Sequence, residues 1–135
     1  MNEAGSPSSF WGRSLCPQRE IGSAQRYRLC PETVLEDETA RGFQIGAGAS
    51  GVLVFVGRHS GRLFAYENRC PHLGTPLDLT PDWFFTLDGR HLLCTTHGAL
   101  FEPIGGLCVR GPCRGNRLRA VPFGVDQDGV VWVAV

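Results

Sequence analysis

The sequence predicts an all-β chain of one domain, and three observations predict it. From Tyr27 onward, short apolar runs alternate with Gly, Pro, Asn and Asp turn signals, and no stretch keeps helical apolar spacing for long. Neighbouring runs are joined by turn sequences that suit hairpins. The length, 135 residues, is enough for a single core and too short for a second large domain.

Residues 1–26 are rich in Ser, Pro, Gly and Arg without periodicity and are expected to be a mobile tail, with Phe10-Trp11 as its one candidate anchor. The domain is expected over residues 27–135. Residues 51–56 (Gly-Val-Leu-Val-Phe-Val) and 62–67 (Arg-Leu-Phe-Ala-Tyr-Glu) read as strands joined through His59-Ser60-Gly61. Residues 84–87 and 91–94, with Asp88-Gly89 between them, read as a second hairpin. Residues 118–125 and 130–135 close the fold as a third hairpin around residues 126–129. Trp83 and Trp132 are expected to anchor the core, since large aromatics bury the most area. His59 and His91 lie in turn sequences and are expected at the surface.

The first two hairpins run into two Cys/His clips, Cys70-Pro71-His72-Leu73-Gly74 and Cys94-Thr95-Thr96-His97-Gly98. Each iron of a [2Fe–2S] core shares two bridging sulfides and needs two protein ligands, so four side chains on two short loops complete such a site. Cys70 with Cys94 would bind one iron, and His72 with His97 the other. A Cys₂His₂ set also suits structural zinc, but zinc fingers pair Cys with Cys and His with His, whereas each clip here is mixed. Neutral imidazoles in place of thiolates remove negative charge from the centre and favour its reduced state. Gly74 and Gly98 end the clips, where positive φ is expected to turn backbone N–H groups toward the sulfurs.

With its flanks, Cys70-Pro-His-Leu-Gly-Thr-Pro-Leu and Cys94-Thr-Thr-His-Gly-Ala-Leu-Phe, the chain resembles the Rieske-type ferredoxin family. The likeness continues through Gly105-Gly106-Leu107-Cys108, Gly111-Pro112-Cys113 and Leu118-Arg119-Ala120-Val121-Pro122, and covers about residues 27–135. It implies a Rieske iron–sulfur fold: a small antiparallel β base with a cluster-binding lobe inserted at about residues 69–114. It also implies one Rieske-type [2Fe–2S] cluster per chain and electron transfer, not catalysis, as the activity. Gly111-Pro112 looks like the third loop covering the cluster. The resemblance suggests a flavin-dependent reductase as electron donor and a terminal oxygenase as acceptor. The alternative it leaves open is a non-catalytic Rieske-fold subunit of a larger oxidoreductase, such as the small subunit of a nitrite reductase. Respiratory members carry an extra Cys in each clip, joined as a disulfide, and a Ser after the second His-Gly. Here there is no such pair, and Ala99 takes the Ser position. Fewer donors to sulfur make reduction harder, which places the expected potential at about −150 mV.

Thirteen basic residues, all arginine, balance thirteen acidic ones, which argues against nucleic acid or a strongly charged membrane surface as partner. Arg69, Arg110, Arg114, Arg117 and Arg119 nevertheless fall close to the clips, either as a solvated rim or as a docking patch for an acidic redox partner. Met1-Asn-Glu-Ala-Gly-Ser-Pro-Ser-Ser has none of the parts of a secretory signal, and no apolar run reaches membrane-spanning length. A cytoplasmic location with reduced thiols is therefore expected. Cys16 and Cys30 read as ordinary residues, while Cys108 and Cys113 flank the covering loop with no role assigned.

Overall fold

The computed structural model describes residues 14–15, 19–21, 24–46, 51–71 and 73–135. The strands are β1 (Ser14–Leu15), β2 (Arg19–Ile21), β3 (Ala24–Pro31), β4 (Thr39–Ile45), β5 (Val52–His59) and β6 (Arg62–Glu67), followed by β7 (Leu92–Cys94), β8 (Ala99–Phe101), β9 (Cys108–Arg110), β10 (Phe123–Val125) and β11 (Val130–Ala134). A 3₁₀ turn at Glu32–Val34 is the only helical piece among the described residues. The all-β expectation therefore holds. β3 begins at Ala24 and pairs with β2, so the boundary expected at residue 27 falls inside a strand. Phe10-Trp11, Cys16 and His72 lie outside the described residues.

Two four-stranded sheets make the base, in the orders β1-β4-β5-β6 and β10-β11-β3-β2, and β7-β8-β9 forms a smaller sheet. All pairings are antiparallel except β1 with β4. The apolar run of β5 explains why two cores form. Successive strand residues point to opposite faces. Val54 and Val56 join Leu29, Phe43, Ile45, Val131 and Val133 in the base core. Phe55, between them, joins Phe64, Tyr66, Phe84, Leu92, Cys94 and Phe101 in a second core under the lobe. On β6, Ala65 faces the base core while Phe64 and Tyr66 face the lobe.

Phe84 pins the lobe to this sheet: its ring stacks on Phe55 at 4.3 Å between centroids with 13° between planes. Tyr66 adds a polar tie, its hydroxyl donating to Pro103 O at 2.7 Å. These contacts correct the expectation for Trp83, which is 64% exposed. Phe84, its neighbour in the chain, is 1% exposed and takes the buried place through its stack on Phe55, while Trp83 stays at the surface. Trp132 is half-buried at the surface of the β10–β11 pair, with the Arg26 guanidinium 3.8 Å from its ring centroid.

Two of the three expected hairpins are present as strand pairs, β5–β6 and β10–β11. The closing one is β10–β11, with Asp126 Oδ1 accepting from the N–H groups of Asp128 (2.9 Å) and Val130 (3.1 Å). The middle one is reduced to a single bridge, Phe85 with Leu92, and to Thr86 N donating to His91 O. The main partner of β7 is β8, so the second clip is itself the turn of the β7–β8 hairpin.

Candidate metal centre

Both clips are closed by the same hydrogen bond. In the first, Gly74 N donates to Cys70 O (2.7 Å); in the second, Gly98 N donates to Cys94 O (2.8 Å). Each is a five-residue turn closed by one helical-type hydrogen bond. Each ends on a left-handed glycine, with φ of 79° at Gly74 and 73° at Gly98, the conformation that glycine adopts without strain. The Cys70 and Cys94 side chains are fully buried in one core, while His97 is exposed at the tip of its turn.

The clips are tied to each other through the run between them. Thr95 N and Thr95 Oγ1 both donate to Leu77 O (3.2 and 3.0 Å), and Leu79 N donates to Thr95 Oγ1 (3.3 Å). Asn68 ties that run to the base. Its Oδ1 accepts from Leu77 N (2.8 Å), its Nδ2 donates to Asp78 Oδ1 (2.8 Å), and its own N–H donates to Leu53 O on β5 (2.8 Å). Asn68 is a buried polar residue. Its importance was not evident in the sequence, where a lone Asn before Cys70 resembles any turn residue.

The loop after β9 covers both clips. A Cβ on Gly111, where φ is 105°, would lie 2.8 Å from Ala99 Cα, so this loop rests on the backbone just beyond His97-Gly98. Next to it, Cys113 lies within hydrogen-bond reach of both Cys108 and Cys70. Burial, reinforced by these two thiols, pushes the Cys113 thiol up to about 12. Cys30, in the base core, is likewise pushed up to about 12, by burial. It behaves as an inert packing residue.

The donor set suits an iron–sulfur centre. Two thiols face the protein interior and one described imidazole faces solvent, the polarity needed by a core with a sulfur-ligated and a nitrogen-ligated iron. Thr75 Oγ1, one residue past the first clip, is buried with no hydrogen-bond partner, leaving a donor next to the clip in the chain. Among the described residues no three His, Cys, Asp or Glu side chains converge on one point, and His72 lies outside those residues. His59 stands at the opposite end of the β5–β6 hairpin from the first clip, beside Glu38 (Nδ1 to Oε2, 3.2 Å). His91 is half-buried where the middle hairpin enters β7.

Three of the arginines lie beside the first clip. Arg69, Arg110, Arg114, Arg117 and Arg119 are all exposed, and Arg69, Arg117 and Arg119 line one shallow depression with Glu67 and Pro71 of the first clip. Leu73, also in the first clip, is 62% exposed. Among the described residues no helix is long and apolar enough to cross a membrane.

No curated protein matches the sequence. Solved structures share the fold. A chain in the complex of reduced oxygenase and oxidized ferredoxin in carbazole 1,9a-dioxygenase is 25% identical with a TM-score of 0.63, the match covering 81% of this chain and 92% of that one. The ferredoxin of carbazole 1,9a-dioxygenase from Nocardioides aromaticivorans IC177 is 23% identical (TM-score 0.61), with 80% and 95% covered. The terminal oxygenase of carbazole 1,9a-dioxygenase from Novosphingobium sp. KA1 is 20% identical (TM-score 0.63), with 80% of this chain but 29% of that chain covered. A family model, the Rieske [2Fe-2S] domain, matches residues 25–125. The chain belongs to the Rieske [2Fe-2S] domain family, whose Rieske-type cluster is its cofactor.

Proposed function

We propose that this chain is a Rieske-type ferredoxin that takes one electron from a flavin-dependent reductase and delivers it to a terminal oxygenase. Cys70 and Cys94 hold the inner iron of the cluster and His72 and His97 the outer one. The observation that carries this reading is the pair of clips: each closed by the same hydrogen bond, both cysteines buried and His97 open to solvent. The buried Cys70 and Cys94 thiolates would anchor such a centre in the core, and exposed His97 would bring its redox chemistry to the surface a partner docks on. The 25% identity to a chain from an oxygenase–ferredoxin complex, most of whose length is matched, supports the choice of acceptor. The exposed arginines around the clips supply a surface for an acidic partner.

Anaerobic purification followed by iron and acid-labile sulfide analysis, with EPR of the dithionite-reduced protein, tests this reading. The expected result is two irons and two sulfides per chain, a mixed-ligand signal and a potential of about −150 mV. Cys70→Ser and His97→Ala should each abolish the signal. Colourless protein holding zinc, or a signal that survives both substitutions, would overturn the ligand assignment. Arg110→Glu with Arg114→Glu should slow reduction by the reductase and flatten its salt dependence, and an unchanged rate would remove these arginines from docking.

A further inference from the structure

Two thiols of the lobe have no part in the proposed ligand set. Cys108 begins β9 and Cys113 follows five residues later; both are buried although residues 110–112 and 114–117 are exposed. Cys113 Sγ donates to Cys108 Sγ across 3.1 Å, and Cys108 Sγ donates to Arg110 O at 3.3 Å. The backbone fixes this approach. Cys108 is bonded on both sides, its N–H to Asn116 O (2.7 Å) and its O from Gly115 N (3.0 Å), while Arg114 N donates to Gly111 O (3.1 Å) and Asn116 N to Cys113 O (2.9 Å). The loop is thus folded back so that its two sulfurs face one another at close range. A disulfide bond measures about 2.05 Å, so closure needs a further approach of about 1 Å.

We propose that Cys108 and Cys113 are a dithiol–disulfide pair, oxidised by an anionic small-molecule disulfide of the glutathione disulfide class. One cysteine thiolate attacks the small disulfide, forming a mixed disulfide and releasing one glutathione thiolate. The second cysteine thiolate then displaces the other glutathione, forming the Cys108–Cys113 bond. The chain loses two electrons and two protons, and one glutathione disulfide becomes two glutathiones. Arg110, Arg114 and Arg117, all exposed on this loop, provide the positive charge that draws in the carboxylates of such an oxidant. Access comes from opening of the exposed loop, the kind of local motion that leaves the core intact. Burial makes the exchange slow, and it protects the bond once formed.

Oxidation has a consequence at the centre because Cys113 is also within hydrogen-bond reach of Cys70. The disulfide removes the Cys113 S–H, which points to Cys108 in the dithiol and is the hydrogen that rotation of the thiol would turn toward the proposed ligand sulfur, and so makes the centre harder to reduce. This consequence rests on the ligand assignment above; the disulfide itself does not.

The test uses protein with its cluster in place, equilibrated anaerobically in glutathione buffers of rising oxidised-to-reduced ratio. The sample is then acid-quenched, alkylated in denaturant and mapped by mass spectrometry. The peptide holding Cys108 and Cys113 should pass from two alkyl groups to none and become ~2 Da lighter than the unalkylated dithiol form, while Cys30 stays alkylated throughout. In C108S the Cys113 thiol should stay alkylated or end as a glutathione adduct. Two alkyl groups at every ratio, or a stable glutathione adduct on the unmutated chain, would overturn the pair. A potential that falls on oxidation in the unmutated chain and not in C108S supports the link to Cys70, and an unshifted potential in fully closed protein overturns that link. Thiol mapping reads the pair whatever EPR says of the ligands, so the two failures are distinguishable.

Discussion

Replacing Gly111 by Ala tests how tightly the covering loop must sit on the second clip. Two penalties act. A non-glycine residue at φ of 105° carries backbone strain of about 1–3 kcal/mol. The new Cβ would also stand 2.8 Å from Ala99 Cα and 3.2 Å from Ala99 Cβ, and must retreat to at least the 3.4 Å of ordinary contact. Ala99 belongs to β8, paired on both sides, so the clip does not yield. Forcing the contact adds about 1–3 kcal/mol, for a total of about 2–6 kcal/mol against the closed loop. The loop is held by four backbone hydrogen bonds, at Cys108 N and at Arg114, Gly115 and Asn116 N, worth about 0.5–1.5 kcal/mol each. The two sums are comparable, so the loop should lift while the base stays folded. Gly115→Ala is the control: its φ of 92° imposes similar strain, but nothing lies within 4 Å of the added atom. Hydrogen exchange should show the amides of Cys108, Gly115 and Asn116 losing protection in both variants. The loss in Gly111→Ala should exceed that in Gly115→Ala by roughly tenfold to a hundredfold, the rate equivalent of the steric penalty. Equal losses in the two variants would refute the close approach of loop and clip.

Asn68→Ala strips the partner from buried Leu77 N and should cost about 1–3 kcal/mol in chemical denaturation; the cluster chromophore should also bleach faster in chelator, and an unchanged bleaching rate would show that Asn68 does not position the first clip. Burial pushes the Asp126 carboxyl up, but the N–H groups of Val130 and Asp128 and the Arg28 guanidinium outweigh it and hold the group below its ordinary value. A folded-state pKa below the unfolded value of about 3.9 gives stability that is complete above that value and lost as pH falls through the folded one. The gap in denaturant midpoint between the unmutated chain and Asp126→Asn should therefore close on acidification below about pH 4, and a gap constant down to pH 2.5 would contradict it. Trp83→Ala should shift stability by less than about 0.5 kcal/mol, because the side chain is 64% exposed; a larger loss in thermal unfolding would return Trp83 to the core.

Sequence made the strand content legible because β5, β6 and β11 are runs of branched and aromatic residues bounded by turn signals. The clips were legible because Cys, His and Gly at those spacings leave little alternative chemistry. Three features were not. Trp83 and Phe84 are both large aromatics, and only the stack on Phe55 decides which one turns inward. Gly111 looks like any loop glycine until Ala99, twelve residues earlier in the chain, comes to rest beneath it. Cys108 and Cys113 showed themselves only as a local pair; their approach to Cys70 depends on how β9 returns across β8. In each case a contact between distant segments settles what local pattern leaves open.

The first clip extends from the end of β6, in a sheet of the base, whereas the second is the bend of β7–β8 in a separate sheet. Half of the proposed ligand set thus arrives with one sheet and half with the other, and β5, with Phe55 turned to the lobe and Val54 and Val56 to the base, is the partition between them. With the proposed ligands, metallation would work as an assembly check, iron being captured only after both sheets have docked across that partition. A base weakened far from the lobe will lose colour before it loses secondary structure. Anyone grafting the lobe onto another scaffold must bring the partition with it.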